Sequence, residues 1–408
     1  MSPAPWVSLA VFALVYLAMA LGRVPAMRLD RTGAALLGAL VCVASGLVDA
    51  GTAWAAIDVP TIALLFAMMV LSAQLAAAGA WARLAAYLAA ARTDAPRFLL
   101  LVVLVSGGLS AILTNDVVCL ALAPLVADVA ARRGLHPLPH LLGLAAAANV
   151  GGALTLIGNP QNILVGQTLQ LDFGGYIATA ALPVCAGLAI VWLVLWLQWR
   201  GRFDDGAPRG ATTSDAPPHD AWQAWKGALL VLATMLLFLV GSWPREAVAL
   251  GAAALVLCSR RIRGADFLAR VDWPLLVLFM GLFVVHAAFA RAGWMDALSG
   301  LLARTGVDLA QADTLYWASV PLSNLVSNVP ATMLLLESGV PPSLGAHLAL
   351  GSTLAGNLLL VGSIANLIVA EEAKRRGIAF GWREHAKAGV PIGCATLVVA
   401  WWCLRGAA

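Results

Sequence analysis

The sequence predicts an all-α polytopic membrane protein made of two inverted repeats, each with five spans, one re-entrant hairpin and a broken helix. Three observations predict it. The 408 residues are 61% hydrophobic and only 11% charged, with a mean hydropathy of +0.88, whereas a soluble domain carries about 25% charged residues. The charges cluster between apolar stretches of about 20 residues, the length a helix needs to cross a hydrocarbon core of about 30 Å. The second half of the chain also repeats polar positions of the first, with the loop charges reversed.

The elements follow in order. The first apolar stretch, 5–22, has no basic residue before it, and Arg23, Arg28 and Arg31 follow it. That order fits an uncleaved first span and not a signal peptide. Further spans are expected at 32–49, 59–80, 141–165, 176–198, 226–242, 245–259, 273–292, 343–369 and 388–404. The stretches 98–131 and 311–338 are each interrupted midway by polar residues and read as hairpins that enter and leave on one face. The basic loops 23–31, 83–97, 132–133, 200–209, 260–270 and 374–387 then share a face. By the positive-inside rule that face is cytoplasmic, and both termini are non-cytoplasmic. Asp49, Asp58, Asp172, Asp308 and Glu337 fall on the opposite face. The stretch 200–225, rich in Pro, Gly, Asp and Thr near its start, reads as a cytoplasmic linker between a first repeat (1–199) and a second (226–408).

The repeat is read without gaps. Arg31 matches Arg245, Asp58 matches Asp272, Pro60 matches Pro274 and Gly79 matches Gly293, each 214 positions on (272 − 58). In the hairpins Ser110 and Asn115 match Ser323 and Asn328 at 213, and further on Gly152, Gly158 and Asn162 match Gly356, Gly362 and Asn366 at 204. The loop that holds Asp49 in the first half holds Arg260, Arg261 and Arg263 in the second. Charge reversal at matching loops is what opposite orientation in a membrane requires.

The chemistry is expected where helices break. Backbone in hydrocarbon must be hydrogen-bonded, so a break is tolerated only inside protein or beside a wet cavity. Four breaks are expected: Thr114-Asn115-Asp116, Gly158-Asn159-Pro160-Gln161-Asn162, Ser327-Asn328-Val329-Pro330 and Gly362-Ser363-Ile364-Ala365-Asn366. Free carbonyls with Ser, Thr and Asn oxygens can coordinate a cation, and half-helix N-termini can hold an anion. The plainer reading is four kinks whose side chains cap helix ends; the pairing of breaks across the repeat argues against it. Asp116 is the sharpest residue, since a carboxylate at the bilayer centre costs about 2.5–3.5 kcal/mol on insertion scales. It reads as a coupling-ion or proton site, or alternatively as an N-cap.

Other polar residues carry less. His286 sits in an apolar span, where an imidazole can relay protons, but a hydrogen-bonded packing role is the more ordinary one because the matching position is Ser72. Gln74 and Gln311 are weaker candidates, and Arg291, near a span end, reads as snorkelling outward. The six cysteines stand singly in apolar segments, without metal or redox spacing, and the tryptophans gather near span ends as an interfacial belt.

At these residues the chain resembles the ion transporter superfamily, in particular the citrate-transporter-like domain of divalent-anion/sodium symporters and arsenite-permease-like permeases. In those symporters each hairpin tip carries Ser-Asn-Thr with a hydroxyl residue four positions earlier. The tips here read Ser110-x-x-x-Thr114-Asn115-Asp116 and Ser323-x-x-x-Ser327-Asn328-Val329, so Asp116 and Val329 stand where the symporters have threonine. The first hairpin looks like that of arsenite-permease-like members, and IGNPQNILVG like that of anion permeases of the same superfamily. The resemblance implies ion binding at Ser110, Thr114, Asn115, Asp116, Gly158, Asn162, Ser323, Ser327, Asn328, Gly362 and Asn366. It implies substrate binding at Thr114, Asn115, Asp116, Asn159, Pro160, Gln161, Ser327, Asn328, Val329 and Ser363. Na⁺ or H⁺ is the implied coupling ion with no other cofactor, and the implied assembly is a homodimer in a bacterial inner (plasma) membrane.

The function expected is therefore secondary active transport of an inorganic or organic anion coupled to Na⁺ or H⁺. An efflux antiporter, of arsenite type or exchanging Na⁺ for H⁺ at Asp116, is the alternative. An intramembrane enzyme would need a catalytic pair, and no HExxH, GxSxG or P-loop occurs. The basic residues lie in loops on one face, which does not suggest a nucleic-acid partner.

Overall fold

The computed structural model describes residues 5–22, 29–90, 93–204 and 220–407. Its first half is α1 (Pro5–Leu21), α2 (Arg31–Ala44), α3 (Ala50–Ala56), α4 (Val59–Ala77), α5 (Ala80–Ala90), α6 (Ala95–Ile112), α7 (Asn115–Arg132), α8 (Pro137–Gly152), α9 (Pro160–Thr168) and α10 (Phe173–Trp199). The second half gives the same sequence of elements: α11 (Ala221–Val240), α12 (Arg245–Leu257), α13 (Gly264–Leu268), α14 (Trp273–Arg291), α15 (Trp294–Arg304), α16 (Ala312–Val326), α17 (Asn328–Glu337), α18 (Gly345–Ala355), α19 (Ile364–Arg375) and α20 (Trp382–Ala407). Helices α12 to α15 begin 214 residues after α2 to α5 (245 − 31).

Local chemistry explains the matched positions. Asp58 and Asp272 are the N-caps of α4 and α14, accepting from the N–H groups of Thr61 and Leu275. Pro60 and Pro274 occupy the first turn, where a missing N–H costs nothing. Gly79 and Gly293 have φ of +70° and +79°, a conformation that side chains disfavour. Asp caps also start α2, α3, α6, α10 and α11. At α11, Arg261 and then the N–H of Gln223 hold the Asp220 carboxyl below its ordinary range.

The two halves interlock. Helix α2 packs on α14 and α12 on α4; α7 packs on α19 and α17 on α9; α10 meets α20. Each cross-contact has its reciprocal, as two repeats related by an internal two-fold axis require. Gln74 bridges α4 to α11 by donating to the side chain and backbone of Gln223. Arg291 is turned outward and donates to Thr52.

Among the described residues six helices are long and apolar enough to cross a membrane: α4, α6, α10, α11, α14 and α20. Both polar-interrupted stretches are helical hairpins, α6–α7 and α16–α17, whose halves pack on each other. At 18 residues α6 could cross alone, while α16 and α17 have 15 and 10. Either way a hairpin returns the chain to the face it left.

The structure departs from the expected boundaries in several places: α13 lies within the basic stretch 260–270, and the breaks expected at 158–162 and 362–366 end as α9 begins at Pro160 and α19 at Ile364. The basic stretch 83–97 is not loop throughout, because α5 covers 80–90; its counterpart α15 lies 214 residues on. Trp81, Leu84 and Leu88 lie on one side of α5 and pack into the core, a pattern too short to register as a span. Helix α11 starts at Ala221, inside the segment 200–225, of which 205–219 lies outside the described residues. Of the loop 23–31, residues 23–28 also lie outside them. Finally α19 runs to Arg375 and α20 starts at Trp382, since helices continue past the hydrocarbon that hydropathy detects.

Candidate functional site

Hairpin tips and broken helices meet in the interior. The first break runs from Ala153 to Asn159, and α9 resumes at Pro160 with Asn159 as its cap, accepting from the N–H of Asn162 at 2.8 Å. The N–H of Asn115, at the first tip, donates to the carbonyl of Gly158 at 2.9 Å. Glycine is obligatory there: a Cβ on Gly158 would lie 2.3 Å from the Gly152 carbonyl oxygen and 2.6 Å from that of Ser110. In the second half a Cβ on Gly362 would lie 2.9 Å from Asn324 Oδ1.

Asn149, on α8, joins the repeats. Its Oδ1 accepts from Asn115 Nδ2 and Ser363 Oγ, each at 2.9 Å. Its Nδ2 donates to Asn357 Oδ1 at 2.9 Å and Asn366 Oδ1 at 3.0 Å. That uses the full capacity of one amide. Thr353 is a second junction, taking Asn159 Nδ2 and Gln161 Nε2, each at 3.2 Å, and donating to Asn162 Oδ1 at 3.0 Å. Asn162 Nδ2 also reaches the carbonyl of Thr155 and the Tyr176 hydroxyl. In the amide orientation that satisfies both its ends, Asn328 donates to the carbonyls of Ser352 (3.2 Å) and Gly362 (2.9 Å) and accepts from Gln161 at 3.2 Å. Gln161 thus touches the second tip from the first break.

The structure therefore brings Asn115, Gly158, Asn159, Gln161, Asn162, Asn328, Gly362, Ser363 and Asn366 into one connected interior. Asn149, Thr353, Asn324 and Asn357 also belong to it and escape the sequence reading. Two of them had a signal: Asn149 and Thr353 are 204 apart (353 − 149), so the repeat extends three residues upstream of Gly152 and Gly356.

With the amides engaged, certain oxygens are left over. Ser110 Oγ and Thr114 Oγ1 in the first hairpin, and Ser323 Oγ, Asn324 Oδ1 and Thr332 Oγ1 in the second, are buried without a hydrogen-bond partner. A buried oxygen without a partner costs about 1–3 kcal/mol, and here such atoms stand in matched hairpins. The half-helix N-termini also differ from the Asp-capped helix starts. Thr114, Ser327 and Ser363 stand at the caps of α7, α17 and α19 without making a side-chain cap bond, unlike the Asp-capped helices. At α7 the first two N–H groups donate to the Gly158 carbonyl and to Asn115 Oδ1, whereas at α17 and α19 the positive end of the helix dipole has no side-chain cap.

The tips are unequal. Ser327 has φ +79° and ψ 156°, a region almost reserved for glycine, and it alone separates α16 from α17. Leu113 and Thr114 make the first link, with ordinary φ. Asp116 lies in the first turn of α7 and is not its cap; among the described residues its carboxylate has no hydrogen-bond partner, and it lies within electrostatic reach of Asp272. Next to this turn a crevice of about 590 Å³ opens between α4, α5, α7 and the segment before α14, lined by Ser72, Trp81, Val117, Pro124, Arg270 and Asp272 among others. Val329, the counterpart of Asp116, is buried.

Comparison with known proteins agrees with this architecture. A family model described as Citrate transporter matches residues 14–338. The chain is 29% identical to the silicon efflux transporter LSI3 of Oryza sativa subsp. japonica, covering 89% of each chain. It is 34% identical to the inner membrane protein YbiR of Escherichia coli, covering 81% of this chain and 84% of the relative. Among solved structures it is similar to the Alcanivorax borkumensis YdaH transporter, reported to have an unusual topology, with a TM-score of 0.62, 17% identity and 98% of each chain covered.

Proposed function

The chain belongs to the citrate transporter family, is a multi-pass membrane transporter and not an enzyme, and from that premise we propose that it is a secondary active permease moving a small inorganic or organic anion coupled to Na⁺ or H⁺. One observation carries the coupling: both hairpins bury partnerless oxygens, Ser110 and Thr114 in one, Ser323, Asn324 and Thr332 in the other. An oxygen-only donor set suits a hard monovalent cation, and Gly158 and Gly362 bring backbone close to it, a Cβ on them falling 2.6 Å from the Ser110 carbonyl oxygen and 2.9 Å from Asn324 Oδ1. The N-termini of α17 and α19, without side-chain caps, support the anion, because their N–H groups and dipoles favour negative charge. Asp116 offers a second, protonatable seat for coupling. In this reading the hairpins are re-entrant, the termini are non-cytoplasmic, and the protein works as a homodimer in a bacterial inner membrane.

A second reading is an efflux antiporter, of arsenite type or exchanging Na⁺ for H⁺ at Asp116. The named function of the rice relative favours it, and so does Asp116 at the tip. Thermal unfolding of the purified protein against anions, with Na⁺, K⁺ and pH varied, separates them. An anion that stabilises only with Na⁺ supports the symporter. A response to Na⁺ or pH alone supports exchange, and no response to any cation or anion removes both.

A further inference from the structure

His286 takes no part in the site above, yet it is 1% exposed and sits in a closed hydrogen-bonded chain. From α1, the Tyr16 hydroxyl lies 2.6 Å from His286 Nε2 and 2.9 Å from the carbonyl oxygen of Pro330, in the first turn of α17. His286 Nδ1 lies 2.7 Å from Glu337 Oε1, at the far end of the same helix. Phe12 and Phe289 stack at 3.9 Å, and Phe12 meets the imidazole at 5.4 Å. Both ends of α17 are thus fastened to α1 and α14.

Donor counting fixes a proton. A tyrosine hydroxyl has one hydrogen, and the Pro330 carbonyl can only accept, so the hydrogen goes there. Turned the other way, two oxygens would face each other at 2.9 Å. His286 Nε2 must then carry a hydrogen and donate to Tyr16. That leaves Nδ1 and a carboxylate oxygen 2.7 Å apart, and two bare acceptors repel at that distance. One further proton must lie between them, as imidazolium with carboxylate or imidazole with carboxylic acid.

The repeat shows what this fastening does. The positions matching His286 and Glu337 are Ser72 (286 − 214) and Pro124 (337 − 213), and both line the open crevice beside α7. Helices α4 and α7 touch beside that crevice with no side-chain bond between them among the described residues, whereas on the other side Glu337 of α17 is bonded to His286 of α14. We infer that Tyr16, His286 and Glu337 form a proton-loaded gate: a proton bound between His286 and Glu337 holds the second hairpin against α1 and α14, and its loss releases that side. Glu337, with its side chain 29% exposed, is where the proton exchanges with water.

Among the described residues no other titratable group is hydrogen-bonded to Tyr16, His286 or Glu337. Of the elements packed on α14, α1 supplies only Tyr16, α2 supplies Arg31 and Cys42, α3 and α4 carry only their caps Asp49 and Asp58, and α15 carries Asp296 and Arg304. On α14 itself Arg291 is bonded to Thr52, and on α17 Glu337 is the one titratable residue; of the elements packed on α17, α9 adds none, α16 adds Asp313 and Tyr316, bonded to α20, and α18 adds His347. The inference goes beyond the choice of substrate and coupling cation and does not depend on either.

The test uses full-length protein in nanodiscs, with native cysteines replaced and spin labels on Trp54→Cys and Ser343→Cys, both exposed positions flanking the gate. Electron–electron resonance should give mainly the short distance at about pH 5, with the long-to-short ratio rising about threefold or more by about pH 9. Glu337→Gln, whose amide can donate to Nδ1 as the acid does, should keep the short distance at both pH values. His286→Ala should remove the pH response. A distance distribution that does not change with pH, or a pH response retained in Glu337→Gln or His286→Ala, overturns the gate.

Discussion

Replacing Ser110 by alanine should stabilise the protein without sodium and destabilise it, relative to the parent, with sodium. The Ser110 side chain is fully buried and its Oγ has no partner. In the ion-free state that oxygen has lost water and gained nothing, so its removal should return about 1–3 kcal/mol, less a small packing loss. A bound cation reverses the sign. A site filled at about 100 times its dissociation constant adds about 2.7 kcal/mol to the folded state, and the alanine variant forgoes most of it. The stability curves of parent and variant against Na⁺ should therefore cross. The assay is thermal or denaturant unfolding of purified protein in choline chloride titrated with NaCl at constant ionic strength. Ser323→Ala should behave alike, and the double variant should be near additive because the residues lie in separate hairpins. Equal Na⁺ response in parent and Ser110→Ala would refute the assignment; a rise in stability independent of Na⁺ would mean that the oxygen is merely unsatisfied.

Three further outcomes follow from particular contacts. Gly151→Ala would place a Cβ 2.1 Å from the carbonyl oxygen of Gly107, forcing α6 and α8 apart by about 1 Å and costing about 3 kcal/mol; Gly108→Ala, with nothing within 4 Å, is the control and should be near neutral in the same unfolding assay. Ser327→Gly should relieve a backbone conformation worth about 1–3 kcal/mol and raise the melting temperature, whereas a fall would show that the hydroxyl holds the tip. Asp116→Asn should reduce the cation or pH dependence of transport about tenfold or more, since it removes the one ionisable side chain at either tip; unchanged dependence in reconstituted vesicles would exclude it from coupling.

The architecture was legible because membrane folding is governed by local rules. Apolar length, loop charge and polar interruptions act within single segments, so spans, hairpins and breaks could be placed from residues alone. Asp58 with Pro60 and Asp272 with Pro274 survived as a pair because one short motif starts both helices. Segments that depend on neighbours were harder. Helix α5 is held by the packing of Trp81, Leu84 and Leu88, and read as a basic loop because its apolar face is brief.

At the site, the sequence by itself determined that polar residues at matched positions interrupt apolar helices, because burying them without purpose is costly. It could not determine which atoms are free to bind. Asn115, Asn162 and Asn366 looked like ligands, and their amides are largely engaged with Asn149, Thr353 and backbone carbonyls; the partnerless oxygens are on Ser110, Thr114, Ser323, Asn324 and Thr332. Likewise His286 looked like packing beside Ser72, until Tyr16 and Glu337, 270 and 51 residues away, closed on it. Hydrogen-bond capacity is a property of each residue, but whether it is spent depends on partners that only the folded chain brings within 3 Å.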